Sequence, residues 1–297
     1  MQDKLMIGII GGSGLGDALL DGLEPEGIEK HHIETPFGDP SSQIITARCE
    51  GVDIALLQRH GDGHILNPAS VPYRANIFAL KSLGVTHIVA SGATGSLREH
   101  IHPGDLVLVD QIIDKTNGRA KTFYEHAAVH VEFADPCCAV MRAWLQEAAH
   151  NLEGQTVHET GTYVCMEGPA FSTRAESELH RQWGADLIGM TAIPEAKLAR
   201  EAEIAYALVS LPTDYDCWKP HEARDARSLL VEIIGNLQKA SKASINLIKA
   251  ALKDVTKLRE QPSSAHEALA LAIWSDKSKL DPDEVKRLHV LWGKYFE

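Results

Sequence analysis

Two aspartates one residue apart, Asp214 and Asp216, follow the apolar run Ile204 to Leu211 in the segment Pro212-Thr213-Asp214-Tyr215-Asp216-Cys217-Trp218. Alternate residues of an extended chain share a face, so the two carboxyl groups are expected to point the same way. A carboxyl group partly out of water at the end of a buried strand can keep a proton and act as a general acid. It can equally cap the next element. A second apolar run, Asp53 to Leu57, leads into Arg59-His60-Gly61-Asp62-Gly63-His64. The Arg59 guanidinium can grip a phosphate with its fork, and His60 adds a donor; a solvated loop with a surface ion pair is the other reading. A third run, Met6 to Ile10, opens into Gly11-Gly12-Ser13-Gly14-Leu15-Gly16. The N–H groups of such a loop and the Ser13 hydroxyl can hold an anion, although a tight turn alone would use the same glycines. These glycines miss the G-x-G-x-x-G spacing of a dinucleotide loop, and no Lys-Ser/Thr pair completes a P-loop.

Three more polar, small-residue loops follow apolar runs: Ser91 to Glu99, Met166 to Ser172, and Gly189 to Glu195. Small residues let a backbone approach a ligand closely. No metal is expected. His60 and His64 are four apart, as are His126 and His130, but no H-E-x-x-H or third ligand accompanies them. The five cysteines form no C-x-x-C pair, which suits free thiols in a reducing compartment.

These loops must be held by an alternation of short apolar runs and helical patterns. Strands are expected at 6–10, 53–57, 85–90, 105–113, 155–165, 185–189 and 204–211. Helices are expected at 75–83, 136–152, 173–183, 194–202 and about 222–254. That order predicts an α/β fold with a mixed, mostly parallel central sheet and helices on both faces. Beyond the break at Gln261-Pro262-Ser263-Ser264 the pattern is helical again: Ser264 is a candidate cap for a helix through Glu267 to Trp274, and Asp281-Pro282 is a second helix start. The chain therefore divides into residues 1–257, carrying all the loops above, and a C-terminal helical extension, 258–297, read as a hairpin. The 297 residues carry 29 Lys and Arg against 41 Asp and Glu, a net charge of −12, which argues against nucleic acid as a partner. No apolar stretch reaches membrane-spanning length, and the first residues lack the layout of a signal peptide, so a cytoplasmic location is expected.

The segments IGIIGGSGL, TPFG, RHGDGH, YRANIFALK, GSLRE, PGDLVLVDQIID, EGPAFSTRAES, WGADLIGMT and TDYDCW, in this order and spacing, resemble the trimeric purine nucleoside phosphorylase family from about Ile7 to Leu247. Within it they look most like the branch acting on 5′-methylthioadenosine. The resemblance implies that phosphate is held by Ser13, Arg59, His60, the backbone around Ala93, and Thr191. It places Met190 against the ribose, Phe171 and Ser172 beside the base, and Asp214 with Asp216 at the base edge. His64 and Leu230 fall at the 5′ end of the nucleoside, and His130 is the position a neighbouring subunit would contribute there. Gly92 stands where this branch usually carries a threonine, and Arg227 enters a region that is apolar in methylthio-specific members.

The implied activity is phosphorolysis of 5′-methylthioadenosine to adenine and 5-methylthioribose 1-phosphate. Inorganic phosphate is the co-substrate, no metal or organic cofactor is required, and the assembly is a homotrimer. The residue types suit that chemistry. Phosphate must be held in line with a sugar developing oxocarbenium-like charge, and the departing purine needs a proton or hydrogen bond at N7, which Asp214 can supply. A protonated carboxyl group matches the N6 donor and N7 acceptor of adenine better than the two acceptors of a 6-oxopurine. Two other readings remain open. One is a phosphorylase for adenosine or inosine; the other is a catalytically weak nucleoside-binding protein whose C-terminal hairpin serves a partner.

Overall fold

The computed structural model describes residues 5–12, 16–220 and 225–296. In chain order the elements are β1 (Met6–Gly11), α1 (Gly16–Leu23), β2 (Glu26–His31), β3 (Ile44–Cys49), β4 (Val52–Gln58), α2 (Tyr73–Ser82), β5 (His87–Ser96), β6 (Leu106–Leu108), β7 (Gln111–Lys115) and α3 (Ala139–Ala149). The second half adds β8 (Val157–His158), β9 (Thr162–Met166), α4 (Arg174–Gln182), β10 (Leu187–Gly189), α5 (Ala192–Glu201), β11 (Ala205–Asp214), α6 (Ala226–Leu252), α7 (Thr256–Glu260), α8 (Pro282–Arg287) and α9 (His289–Trp292). The strands form one sheet in the order β2-β3-β4-β1-β5-β10-β9-β7, with β11 on β5 and β6, and β8 on β6. Parallel pairing joins β1 to β4 and β5, β11 to β5, β9 to β7 and β10, and β6 to β8. The other pairings are antiparallel. The α/β fold class expected from the sequence is observed.

Period-two burial along the central strands divides the interior in two. Ile7 and Ile9 of β1, Val89 of β5 and Ala207 and Val209 of β11 face one apolar cluster, shared with α1, α3 and α6. Ile10, Ile88, Ala90, Tyr206 and Leu208 face the other, shared with α2 and α5. Both faces of the sheet are therefore covered, which is why these strands read as nearly unbroken apolar runs.

The expectations for 105–113, for 155–165 (two strands, β8 and β9, in place of one) and for the extension need correction, and one hairpin went unread. The run 105–113 is two strands, because its halves pair with different neighbours: β6 with β8 and β11, β7 with β9. The hairpin β2–β3 went unread; β2, Glu-Gly-Ile-Glu-Lys-His, is an edge strand whose charges face solvent and mask the alternation. In the extension, Ser263 rather than Ser264 is the cap, and only the single turn 264–267 is helical. The next residues are pulled out of helix by outside partners: Leu269 N–H donates to the Glu203 carboxylate (3.0 Å), His130 N–H to Ala272 O (2.9 Å) and Trp274 N–H to Ala128 O (2.9 Å). Asp281 does cap α8, with Pro282 at its first turn. The extension is thus a set of short helical turns rather than a hairpin, and Leu269, Leu288, Leu291 and Trp292 are buried in the same cluster as α2 and α5.

Candidate active site

The ends of β1, β4, β5, β9, β10 and β11 converge on one cavity of about 660 Å³, with α6 along its side. Strand ends where neighbours change partners are where open α/β sheets leave a crevice, and β5 is such a strand: β11 runs parallel to it while β10 pairs antiparallel at its outer end. The volume suits a nucleoside-sized ligand.

At one end lies Arg59, with 1% of its surface exposed. Its Nε and Nη2 donate to the two oxygens of Glu195 at 2.7 and 2.8 Å, and Nη1 donates to Ser91 O at 2.7 Å. Three of the five guanidinium hydrogens are thereby committed, leaving one on each Nη. Burial disfavours the charge, but the bidentate Glu195 carboxylate outweighs it and holds Arg59 protonated well above its ordinary range. Glu195 is as buried as Arg59 and also accepts from the Tyr206 hydroxyl at 2.8 Å. The backbone must pass close to this guanidinium: a Cβ at Gly12 would lie 2.7 Å from Nη1 and 2.6 Å from Ser91 O, so only glycine fits. His60, next in sequence, donates from Nδ1 to Leu66 O at 2.8 Å. A carbonyl can only accept, so in the neutral ring Nε2 carries the lone pair, and the expectation that His60 adds a donor is corrected: it faces a ligand as an acceptor. Burial and the adjacent Arg59 lower its pKa to about 4.

Gly92, Ala93 and Thr191 line the cavity beside these residues. A Cβ at Gly92 would meet Thr191 Oγ1 at 3.4 Å and Arg59 Nη1 at 3.9 Å, so a side chain here would enter the anion end without a clash. Thr191 precedes α5, and its N–H lies 3.4 Å from the Tyr163 hydroxyl, which fills the space of any side chain at Gly189.

The opposite end is built on β11. Asp214 Oδ1 accepts from the Thr213 hydroxyl at 2.7 Å, and Oδ2 from Asp216 N–H at 2.9 Å. Asp216 also lines the cavity, but not by strand alternation: its φ is +50°, and Gly95 makes room for it, since a Cβ there would sit 3.1 Å from Asp216 Cβ. Asp216 Oδ2 is buried with no hydrogen-bond partner among the described residues. A buried acceptor left unpaired is costly, so this oxygen is a natural receptor for a donor on a ligand. Met190 also lines the cavity, its sulfur against Gly168, where a Cβ would approach to 2.5 Å. Phe171, Ser172 and His64 complete the lining; Phe171 is 84% exposed and the His64 ring lies 4.4 Å from that of His60.

The structure thus brings together Arg59, His60, Ala93, Thr191, Met190, Phe171, Ser172, His64, Asp214 and Asp216. Ser13 lies outside the described residues. Leu230 is exposed and does not line the cavity; helical phase explains the correction, because Leu229, Ile233 and Leu237, at four-residue steps, form the face of α6 that does. His130 is also outside this chain's cavity, its ring 4.8 Å from that of Trp274. Glu195, Tyr206 and Tyr163 were missed. The one available signal was an acidic residue, Glu195, in the otherwise apolar Ala192-Ile193-Pro194-Glu195-Ala196. Among the described residues no group of three or more His, Cys, Asp or Glu side chains is arranged to hold a metal, and no helix is long and apolar enough to cross a membrane.

Residues 6–253 match the model of the Phosphorylase superfamily. The chain is 47% identical over 292 residues to the S-methyl-5′-thioadenosine phosphorylase of Geobacter sulfurreducens, covering 98% of this chain and 99% of that protein. It is 47% identical over 292 residues to the protein of that name from Cereibacter sphaeroides, at 98% coverage of both. A methylthioadenosine phosphorylase from an antarctic soil metagenomic library superposes with a TM-score of 0.85 at 44% identity, over 97% of this chain and 99% of that one. The Schistosoma mansoni methylthioadenosine phosphorylase in complex with adenine gives 0.81 at 35% identity, over 91% and 99%.

Proposed function

The chain belongs to the phosphorylase superfamily, and we propose that it catalyses phosphorolysis of 5′-methylthioadenosine to adenine and 5-methylthioribose 1-phosphate. The carrying observation is the polarity of the cavity. A buried guanidinium with two uncommitted hydrogens stands at one end, a carboxylate pair with a buried oxygen unpaired among the described residues at the other, and Met190 in the lining.

In this reading phosphate sits against Arg59, His60, the Ala93 backbone, Thr191 and Ser13. It is nucleophile and counter-charge at once, and fixed donors hold it in line with C1′. Asp214 meets N7 of the departing base and Asp216 Oδ2 accepts from N6–H. In this scheme Asp214 enters the step as the carboxylic acid, gives its proton to N7 as the glycosidic bond breaks, and is left as a carboxylate that the Thr213 hydroxyl and Asp216 N–H stabilise. The face of α6 bearing Leu229, Ile233 and Leu237 docks beside this end, with Asn236 Nδ2 donating to Thr213 O at 2.9 Å. An apolar wall favours a methylthio group over a hydroxyl, which would exchange its water for the His64 ring at most. This sets the reading ahead of an adenosine or inosine phosphorylase, and the packed turns of the extension take away the hairpin on which the weak-binder reading relied.

Phosphate is the co-substrate, and neither a metal nor an organic cofactor enters the scheme. The assembly proposed is a homotrimer, supported by His130, Trp274 and Phe171 lying at the surface of the single chain, where a neighbour could complete the open end. A cytoplasmic enzyme without nucleic-acid or membrane partners accords with the net charge of −12. The decisive assay is adenine release from methylthioadenosine with and without phosphate, chelator present. Release that needs phosphate and ignores chelator is expected; equal release without phosphate would make the protein a hydrolase. An active monomer by sedimentation at assay concentration would rule out the trimer.

A further inference from the structure

Arg119 lies in the polar loop after β7 and does not line the cavity, yet it bonds directly to the cavity-lining Met190 and to Ile193 and Glu167 behind the lining. Its side chain is 3% exposed. Nη1 donates to Met190 O at 2.7 Å and Ile193 O at 2.8 Å; Nη2 donates to Glu167 O at 2.5 Å; Nε donates to Glu167 Oε2 at 3.1 Å. The same carboxylate oxygen accepts from Asn117 N–H at 2.7 Å, closing the loop back on itself. The carbonyl and carboxylate acceptors belong to two separate stretches: Met190 and Ile193 lie just before and at the start of α5, and Glu167 precedes the turn whose Pro169 and Phe171 line the cavity; Nη1 also lies 3.4 Å from the Tyr73 hydroxyl of α2. Gly168 and the Met190 sulfur touch where these stretches meet.

We propose that Arg119 is a positioning residue for the nucleoside half of the site, holding Met190 and the Glu167–Pro169 turn in register from behind. The inference rests on the proposed phosphorolysis for its substrate. A planar fork is needed, because one ammonium cannot reach acceptors spread over two chain segments. Most of the anion end has its own support: Arg59 is held by Glu195 and Ser91, and His60 by Leu66, none of which Arg119 touches, while Thr191, between the Met190 and Ile193 carbonyls, is the one shared residue. Its loop is braced independently, by Phe123 N–H on the Glu201 carboxylate (2.8 Å) and Ala128 N–H on the Ser275 hydroxyl (2.8 Å). Loss of the strap should therefore loosen the nucleoside wall before it loosens the loop.

Arg119→Lys is the first test. The KM for methylthioadenosine should rise about tenfold or more and kcat should fall, while the KM for phosphate, touched only through Thr191, should change several-fold less than the nucleoside KM. A residue that only stabilised the fold would lower Tm and the active fraction and leave both KM values in place. Adenine binding by calorimetry gives a readout without turnover and should weaken in parallel. If Arg119→Lys does not fold, Glu167→Gln keeps the shape of the partner but not its charge, and should raise the nucleoside KM and the adenine Kd roughly three- to tenfold. A folded variant with unchanged nucleoside KM and adenine Kd overturns the role. A wild-type protein that binds adenine but shows no phosphate-dependent turnover would refute the proposed function instead, and the adenine Kd of the variants would still decide the role of Arg119.

Discussion

The two ends of the cavity are built differently. At the anion end every charge is answered inside the chain: Arg59, Glu195 and Tyr206 form a buried, closed set, and His60 is fixed by Leu66. At the base end one carboxylate oxygen is unpaired among the described residues, and the neighbouring Phe171 is largely in solvent. The described part of the proposed phosphate site is thus braced by the chain's own groups, whereas the proposed nucleoside site is left to be finished by what enters it and, in the proposed trimer, by a neighbour. A fixed array of donors suits a small, symmetric, strongly hydrated anion, because little reorganisation remains to be done. An open end suits a larger substrate that must enter and leave.

The largest effect should come from the closed end. Arg59→Ala removes the phosphate donors and leaves Glu195 buried without its cation. Unpairing a buried charge costs roughly 3–5 kcal/mol, and loss of a charge-stabilising donor should slow turnover on the order of 10²-fold. The KM for phosphate should rise with it. An Arg59→Ala enzyme with an ordinary phosphate KM would show that the buried pair supports the fold alone.

Asp214→Asn comes next, at the open end. The amide places an N–H where Asp214 accepts from Asp216 N–H or from Thr213, and it cannot deliver a proton to departing adenine. Methylthioadenosine cleavage should fall about 10²-fold, as when a general acid is lost. Inosine-type substrates should lose less, so the ratio of the two kcat/KM values is the quantity to follow. If both substrates slow equally while Tm drops, the carboxylate shapes the turn and does not read the base.

A smaller effect would sharpen the contrast. Gly92→Thr puts a hydroxyl at the anion end, where the Cβ has ordinary clearance. One added hydrogen bond of about 0.5–1.5 kcal/mol should lower the phosphate KM roughly two- to tenfold and leave the nucleoside KM alone. An unchanged phosphate KM would mean that the new hydroxyl points away from the anion.

Legibility from sequence follows the same division. Arg59, His60, Asp214 and Asp216 announce themselves because charged residues directly after apolar runs have few structural excuses. The groups that hold them do not. Glu195 meets Arg59 from 136 positions away, and Arg119 reaches carbonyl groups, which have no residue type to betray them. The phase of α6 was misjudged by one residue at Leu230 because an apolar stretch such as Leu229-Leu230-Val231 offers no polar neighbour to mark its buried side. The central strands were readable from burial on both faces; the edge strand β2 was not, since its charges answer to solvent.

Phosphate and sulfate are alike in size, shape and charge near neutral pH, but only phosphate brings a proton. With Nδ1 committed to the Leu66 carbonyl and the ring kept neutral down to a pKa of about 4, His60 Nε2 can accept a hydrogen bond and cannot give one. A monohydrogen phosphate can donate its hydroxyl to that lone pair; sulfate sets a lone pair against it. Sulfate should therefore compete poorly at about pH 7.5 and better only as the pH falls toward about 4, where His60 gains its proton. Arsenate, which keeps a proton, should compete throughout. Equal inhibition by sulfate and arsenate across that range would mean that Nε2 faces away from the anion. On this reading a backbone carbonyl, outside any motif and indifferent to the residue that carries it, tells two tetrahedral dianions apart.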